Sequence, residues 1–347
     1  MKPIRSGFMK VAAACAMSAL AFSGSTLLAA SVEYLDSAGQ DKSKQSAPSD
    51  GEQKAMAKIE AAPDIAAKLL AAGELIKKYP KSPLRSKAVS HIAQEVGKIQ
   101  DAAQRITQLE SMLAVFKEPS DTDVINPILI DAYVKADRFE DAFRVADTTL
   151  NRHPDDIATL TTITQVGVDQ AKLKNAKFVQ QSKQYGERGI QLIEAGKKPE
   201  ALDDASWSQY QTKWLPQLYQ WTGLLGMMAG NSGEAKSRLE KAVSLAPSDP
   251  FNYYLLGSII NDDYQRIAEE YQKLSPGPLK DAKRQQAEKK MDEVVEAWAH
   301  TVALSEGNAQ YQQLHDVALQ DIQPYYKYRH GGSSEGLQQL IDKFKKQ

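Results

Sequence analysis

The chain has 347 residues, 42% of them hydrophobic and 25% charged, which is ample for one large core or two ordinary ones and too apolar for a wholly disordered chain. Its 43 Lys and Arg face 44 Asp and Glu, so no global basic field draws it to nucleic acid, and no nucleic-acid partner is expected. One cysteine, Cys15, excludes an intramolecular disulfide framework and a four-cysteine zinc site.

In chain order the first element is residues 1–30. Lys2, Arg5 and Lys10 lead into the acid-free run VAAACAMSALAFSGSTLLAA, the charge and hydropathy profile of a secretory signal peptide. Ala29 and Ala30 suit a cut after residue 30, so the expected location is periplasmic or secreted. The alternative is a membrane anchor through residues 11–30, since about 20 apolar residues reach across a bilayer. Without these residues the chain keeps four more acids than bases and no cysteine, which removes cysteine-based nucleophilic and redox chemistry. Residues 31–58, rich in Ser, Gln, Asp, Lys and Ala, offer little to bury and read as a flexible polar tether.

From residue 59 to 347 apolar residues recur at three and four, the helical spacing, and no stretch alternates long enough for a sheet. The segments are short and several close on proline: GELIKKYPKSP, VADTTLNRHPDD and EKAVSLAPSDP. In the run LYQWTGLLGMMAGNSGEAKSRLEKAVSLAPSDP, Tyr219, Gly223, Gly230, Ala235, Leu239, Ala242 and Pro247 fall at fixed offsets. Small residues there let two helices approach, bulky ones fill the space between pairs, and Pro stops the second helix because it has no amide hydrogen.

This pattern resembles the tetratricopeptide repeat, a 34-residue helix-turn-helix unit. Thr222 stands at the usual Leu and Gly226 at the usual aromatic. Leu129, Tyr133, Ala142, Ala146 and Pro154 give a second unit. Tyr253, Leu256, Gly257 and Ile260 begin another, interrupted by SPGPLKDAKRQQAEKK before Val294 and Trp298 resume the pattern. The clearest repeats lie at about 123–156, 216–249 and 250–308, with weaker ones upstream and a lengthened second helix within 157–200. The resemblance implies an all-α, right-handed solenoid of stacked helix pairs with a concave inner face. SSEGLQQLIDKFKKQ, with Leu337, Leu340, Ile341 and Phe344 on one side, reads as a C-terminal capping helix.

Chemistry-bearing patterns are sparse. The five histidines, His91, His153, His300, His315 and His330, stand singly with no metal-ligand spacing; His153 reads as a helix end and His300 and His315 as helix-surface residues. Gly332, Ser334 and Gly336 satisfy G-x-S-x-G, but no His follows, so the segment reads as a turn in which Ser333 or Ser334 caps the final helix. Asp155-Asp156 and Asp203-Asp204 read as helix starts, where carboxylates complement the dipole. Trp207, Tyr210, Trp214, Tyr219 and Trp221 form an aromatic stripe on a helix expected to break at Pro216. Tyr325, Tyr326, Tyr328 and their basic neighbours read as packing of the cap, with Lys327 and Arg329 reaching solvent.

Carried over from the resemblance, the groove floor is Asp131 and Lys135 in one unit, Gln165 and Asp169 in the next, Gln220 and Met227 in the third, and Tyr254, Asn261 and Asp262 in the fourth. That floor is polar and mixed in sign. The resemblance therefore implies a non-enzymatic exported adaptor that binds a protein or peptide through its concave face, with no cofactor, no metal and a peripheral association with envelope components. The alternative is an envelope enzyme or glycan-binding protein using the Trp-rich region 207–221.

Overall fold

The computed structural model describes residues 47–345; the expected signal peptide and the first part of the tether lie outside the described residues. Fourteen α-helices and two 3-10 turns, Ala176–Phe178 and Ala309–Tyr311, are the regular elements among them, and no strand occurs among the described residues. The protein is all-α, built of consecutive helix pairs joined by short connections. One repeat domain over 59–347 was the expectation, but the described chain divides into two compact units. The first holds 47–163 and 197–205, the second 164–196 and 206–345.

The first unit begins with α1, Asp50–Ala61, so the tether does not reach residue 58. The reason is local: Ser49 and Glu52 form a reciprocal capping box, with the Ser49 amide donating to Glu52 Oε2 at 2.8 Å, and Met56 and Ile59 turn inward and are buried. Helix α2 is Ile65–Lys78, capped by Asp64, which accepts the Ala67 amide at 2.8 Å. Its buried Lys68 reaches back to the carbonyls of Ile59 and Glu60, both at 3.3 Å, and so closes the last turn of α1. Then follow α3 (Arg85–Gly97), α4 (Ala102–Val115), α5 (Pro119–Lys135) and α6 (Phe139–Arg152). His153 is the C-cap of α6, as its place before Pro154 implies.

Ile92, Val96, Leu109, Met112, Phe116, Ile125 and Leu129 form the apolar interior of this unit. Burying each such side chain is worth roughly 1.5–3 kcal/mol. Two charged pairs cross between helices at its margin. Asp121 takes a fork from Arg85, with Nη2 at 2.6 Å and Nε at 3.0 Å, and Arg105 on α4 meets Asp131 on α5 at 2.9 Å.

The unit boundary falls inside α7, Ile157–Lys172, whose start is held by Asp156. The second unit continues with α8 (Val179–Glu194), α9 (Asp204–Met228, from Ser206 onward), α10 (Ser232–Leu245), α11 (Pro250–Lys273), α12 (Pro278–Ser305), α13 (Gln312–Arg329) and α14 (Leu337–Phe344). α8 has 16 residues against 14 in each of α6 and α10, so the second helix of that pair is longer by two residues. The insert after Lys273 is a turn followed by the first half of a continuous 28-residue α12, which pairs with the 24-residue α11 into one long hairpin.

Close approach between helices explains the repeat's small residues and both departures from its pattern. A Cβ on Gly223 would lie 2.8 Å from Leu239 Cγ, and one on Gly257 2.5 Å from Trp298 Nε1. Gly226 faces Ala235, whose Cβ would stand 3.2 Å from an added Cβ, so no aromatic fits there. Thr222 is fully buried against Gly186 and returns its hydroxyl to the Leu218 carbonyl at 2.7 Å.

Helix α9 runs through Pro216 without a break. Proline removes one donor, leaving the Thr212 carbonyl without its helical partner, but the residues that follow it, Leu218–Leu225, are buried and hold the helix against its neighbours. Neither Ser333 nor Ser334 caps α14: its N-cap is Gly336 with φ +86°, and Ser333 Oγ accepts the Glu335 amide instead. His300 is half-buried rather than open on the helix surface. Its ring is stacked between Tyr253 at 4.5 Å and Phe344 at 3.7 Å, so α14 is fastened to α12 through it. Arg329 does not simply reach solvent but forks onto Asp292 at 2.7 and 2.9 Å.

Candidate interaction surface

The nine residues expected on a groove floor separate into two groups. Gln220, Met227, Tyr254 and Asn261 are buried, between 0 and 6% exposed, and so do not line an open groove. Their position in sequence is that of the first helix of each pair, and in this fold that face is covered by the first helix of the next pair.

Gln220 on α9 donates from Nε2 to Asn252 Oδ1 at 2.7 Å and to Asp249 Oδ2 at 2.9 Å, at the start of α11. Asn252 in turn donates to the carbonyls of Ala242 and Ala246 and thereby satisfies the end of α10. Burial of Asp249 pushes its carboxyl above the usual range, against the Phe251 amide and Gln220, which stabilise the anion. One junction later the arrangement recurs with different residues. Tyr325 on α13 donates to Asn261 Oδ1 at 2.6 Å, Gln265 bridges both at 3.2 and 3.3 Å, and Tyr254 OH stands 3.5 Å from Asp321 Oδ2.

Aromatic rings close this second junction. Trp298 and Tyr325 meet edge to face at 5.5 Å, Tyr264 and Tyr325 at 5.6 Å, and Trp298 Nε1 donates to the Tyr254 carbonyl at 3.4 Å. Burial pushes the Tyr264 phenol up to about 12, and its hydroxyl has no hydrogen-bond partner among the described residues. Asp321 and Gln265 were not singled out from sequence, and Tyr325 was read only as packing of the cap, because a covered polar face and an open one have the same composition.

Asp131, Lys135, Gln165, Asp169 and Asp262 remain at least partly open. Asp131 and Lys135 belong to the first unit and the others to the second. Asp262, on α11, is exposed. Asp169 has its carboxyl pushed up by burial in its surroundings, with Lys172 at 3.5 Å opposing the shift, and the Oε1 of Gln165 is buried without a partner among the described residues. On α5, Asp131 Oδ2 receives both Arg105 Nη1 at 2.9 Å and Lys135 Nζ at 2.8 Å. Arg105 is 4% exposed and Lys135 38%. The carboxylate is thus fixed from beneath and its ammonium neighbour faces water.

The aromatic stripe is a ladder rather than a platform. Trp207 stacks on Tyr210 at 5.8 Å, Tyr210 meets Trp214 at 6.2 Å, and Trp214 meets Trp221 at 6.0 Å, with Lys213 4.5 Å above the Trp214 ring. A sugar-binding platform needs a free ring face, and here rings and a cation face one another, with Trp207 and Trp221 buried. Among the described residues no cluster of three His, Cys, Asp or Glu side chains converges as metal ligands, and no helix is long and apolar enough to cross a membrane.

No protein-family model matches the chain, and no curated protein is significantly similar to it. Among solved structures it is similar to a tetratricopeptide repeat protein from Parabacteroides merdae, at 12% identity, a TM-score of 0.36, and coverage of 78% of this chain and 100% of that one. PilF from Pseudomonas aeruginosa is similar at 13% identity and a TM-score of 0.36, over 75% and 96% of the two chains. A human IFIT1 dimer with m7Gppp-AAAA is similar at 12% identity and a TM-score of 0.30, over 94% and 74%. At such scores these likenesses carry no argument; what the chain shows by itself is an all-α protein of closely packed helix pairs, with Gly223 against Leu239 and Gly257 against Trp298.

Proposed function

We propose that the protein is an exported, non-enzymatic adaptor that holds a peptide or protein segment in the cell envelope, and that it does so on the open face of α5. The supporting observation is the Arg105–Asp131–Lys135 arrangement. Both cations converge on Asp131 Oδ2, so Oδ1 stays without a partner among the described residues and Lys135 keeps ammonium hydrogens facing water. An extended segment supplies the complement, with backbone N–H groups for Oδ1 and carbonyls or carboxylates for Lys135. Holding the carboxylate in place beforehand lowers the ordering cost of binding. Export is supported by the charge profile of residues 1–30.

The test is crosslinking in intact cells followed by identification of the adducts, comparing the natural chain with Asp131→Ala, Lys135→Ala and, as an open control position on another helix, Asp262→Ala. The expected result is a defined adduct set reduced about tenfold by either α5 substitution, equivalent to ~1.4 kcal/mol, and unchanged by the control. Equal capture by all four proteins removes the α5 face. Recovery of the uncut chain from the cytoplasm removes export.

A further inference from the structure

The long α11–α12 hairpin ends in a tip that no other element covers. Helix α13 reaches only as far as its last residue, Arg329, which is fastened to Asp292 and Glu288 on α12. Beyond that level the last fully buried side chains of the hairpin are Ala268 and Ala287. Between Ala287 and Pro278 lie nine residues of helix, an overhang of about 14 Å at 1.5 Å per residue. Most residues of this overhang are exposed, and Lys280 and Lys283 fall short only because they pack on Tyr271 and Glu270 of the facing helix.

Its composition departs from that of the rest of the chain. Beyond Ala268 and Ala287 there are four bases, Lys273, Lys280, Lys283 and Arg284, against three acids, Glu269, Glu270 and Asp281, with Glu270 paired to Lys283, in a chain whose acids outnumber its bases. Lys273 and Arg284 form no ion pair among the described residues. At the very end Leu279 is 67% exposed, with exposed Pro276 and Pro278 beside it. An exposed end that carries an apolar side chain and, nearby, the unpaired bases Lys273 and Arg284 offers no concavity in which to enclose a protein segment. It fits a soft, flat surface whose anionic layer lies above hydrocarbon.

We propose that the α11–α12 tip docks the protein onto an anionic phospholipid bilayer, with Leu279 entering the acyl boundary and Lys273, Lys280, Lys283 and Arg284 lying among the lipid phosphates. Apolar insertion and basic attraction are each too weak alone for stable attachment, and the tip carries both. This docking does not rest on the α5 adaptor face, so either can fail alone.

The experiment places an environment-sensitive fluorophore on the full chain carrying Ser275→Cys and Cys15→Ala. A probe at position 275 reads the tip itself, so attachment through another part of the chain does not register. The expected result is a blue shift with vesicles of phosphatidylcholine containing phosphatidylglycerol, none with phosphatidylcholine alone, and reversal by salt as screening shortens to a few ångströms. Adding Lys273→Glu with Arg284→Glu, or Leu279→Asp, weakens the partitioning about tenfold or more; these positions are exposed, and unchanged helicity by circular dichroism confirms folding. No shift with the anionic vesicles, an equal shift with neutral ones, or indifference to both variants overturns the docking. A shift with polyglutamate and none with vesicles overturns it in favour of an acidic protein.

Discussion

Tyr325 gives its hydroxyl hydrogen to Asn261 Oδ1 across 2.6 Å, inside the second unit and 64 residues away in sequence. The two residues belong to the first helices of successive pairs, and Gln220 with Asn252 makes the same kind of link one junction earlier at 2.7 Å. A polar residue in such a position tells its neighbour where to sit. Buried amides and phenols have few acceptable partners, and a shifted helix leaves them unsatisfied at a cost of about 1–3 kcal/mol each.

Substituting Asn261→Ala therefore lowers the stability of the protein by about 1–3 kcal/mol, although the same substitution on an open groove floor stays within about 0.5 kcal/mol. Tyr325→Phe costs less, because Gln265 still donates to Asn261. A double-mutant cycle followed by urea unfolding measures the link; a coupling energy near zero means the two side chains do not act together.

Gly257 and Gly73 make a contrasting pair. An alanine Cβ at 257 lies 2.5 Å from Trp298 Nε1 and 2.6 Å from its Cδ1, whereas at 73, within α2, it meets nothing within 4 Å. Gly257→Ala is expected to cost about 1–3 kcal/mol by overpacking and to alter tryptophan fluorescence. Gly73→Ala is expected to stabilise by about 0.5–1 kcal/mol through helix propensity. Thermal unfolding of both variants checks the opposite signs.

His300 sets a pH dependence. Burial between Tyr253 and Phe344 holds its imidazole below the usual value of 6.5; Glu296 opposes that shift and Lys343 adds to it. The folded state thus prefers the neutral ring, and the unfolded chain takes up the proton first as pH falls. The stability from this site is complete above 6.5 and is lost as pH drops from there through the folded value. His300→Phe keeps the ring stack and removes that slope. The check is unfolding at several pH values for both proteins; a slope retained in the variant assigns it to other groups.

The sequence by itself determined the helices and their pairing. Spacing at three and four, prolines behind several of the second helices, and small residues at Gly223 and Gly257 are local or near-local constraints, and a pattern of local constraints is written where it acts. The start of α1 is also written locally, in Ser49 and Glu52, though the polar composition around them reads as a tether. Tertiary structure alone decided which polar faces stay open. Tyr254, Asn261 and Gln220 have the residue types of a solvated floor, and they are buried because α11 and α13 supply Asn252, Asp321 and Tyr325 to meet them. A hydrogen bond to water and one to a distant helix ask the same of a side chain, so only the packed chain distinguishes them.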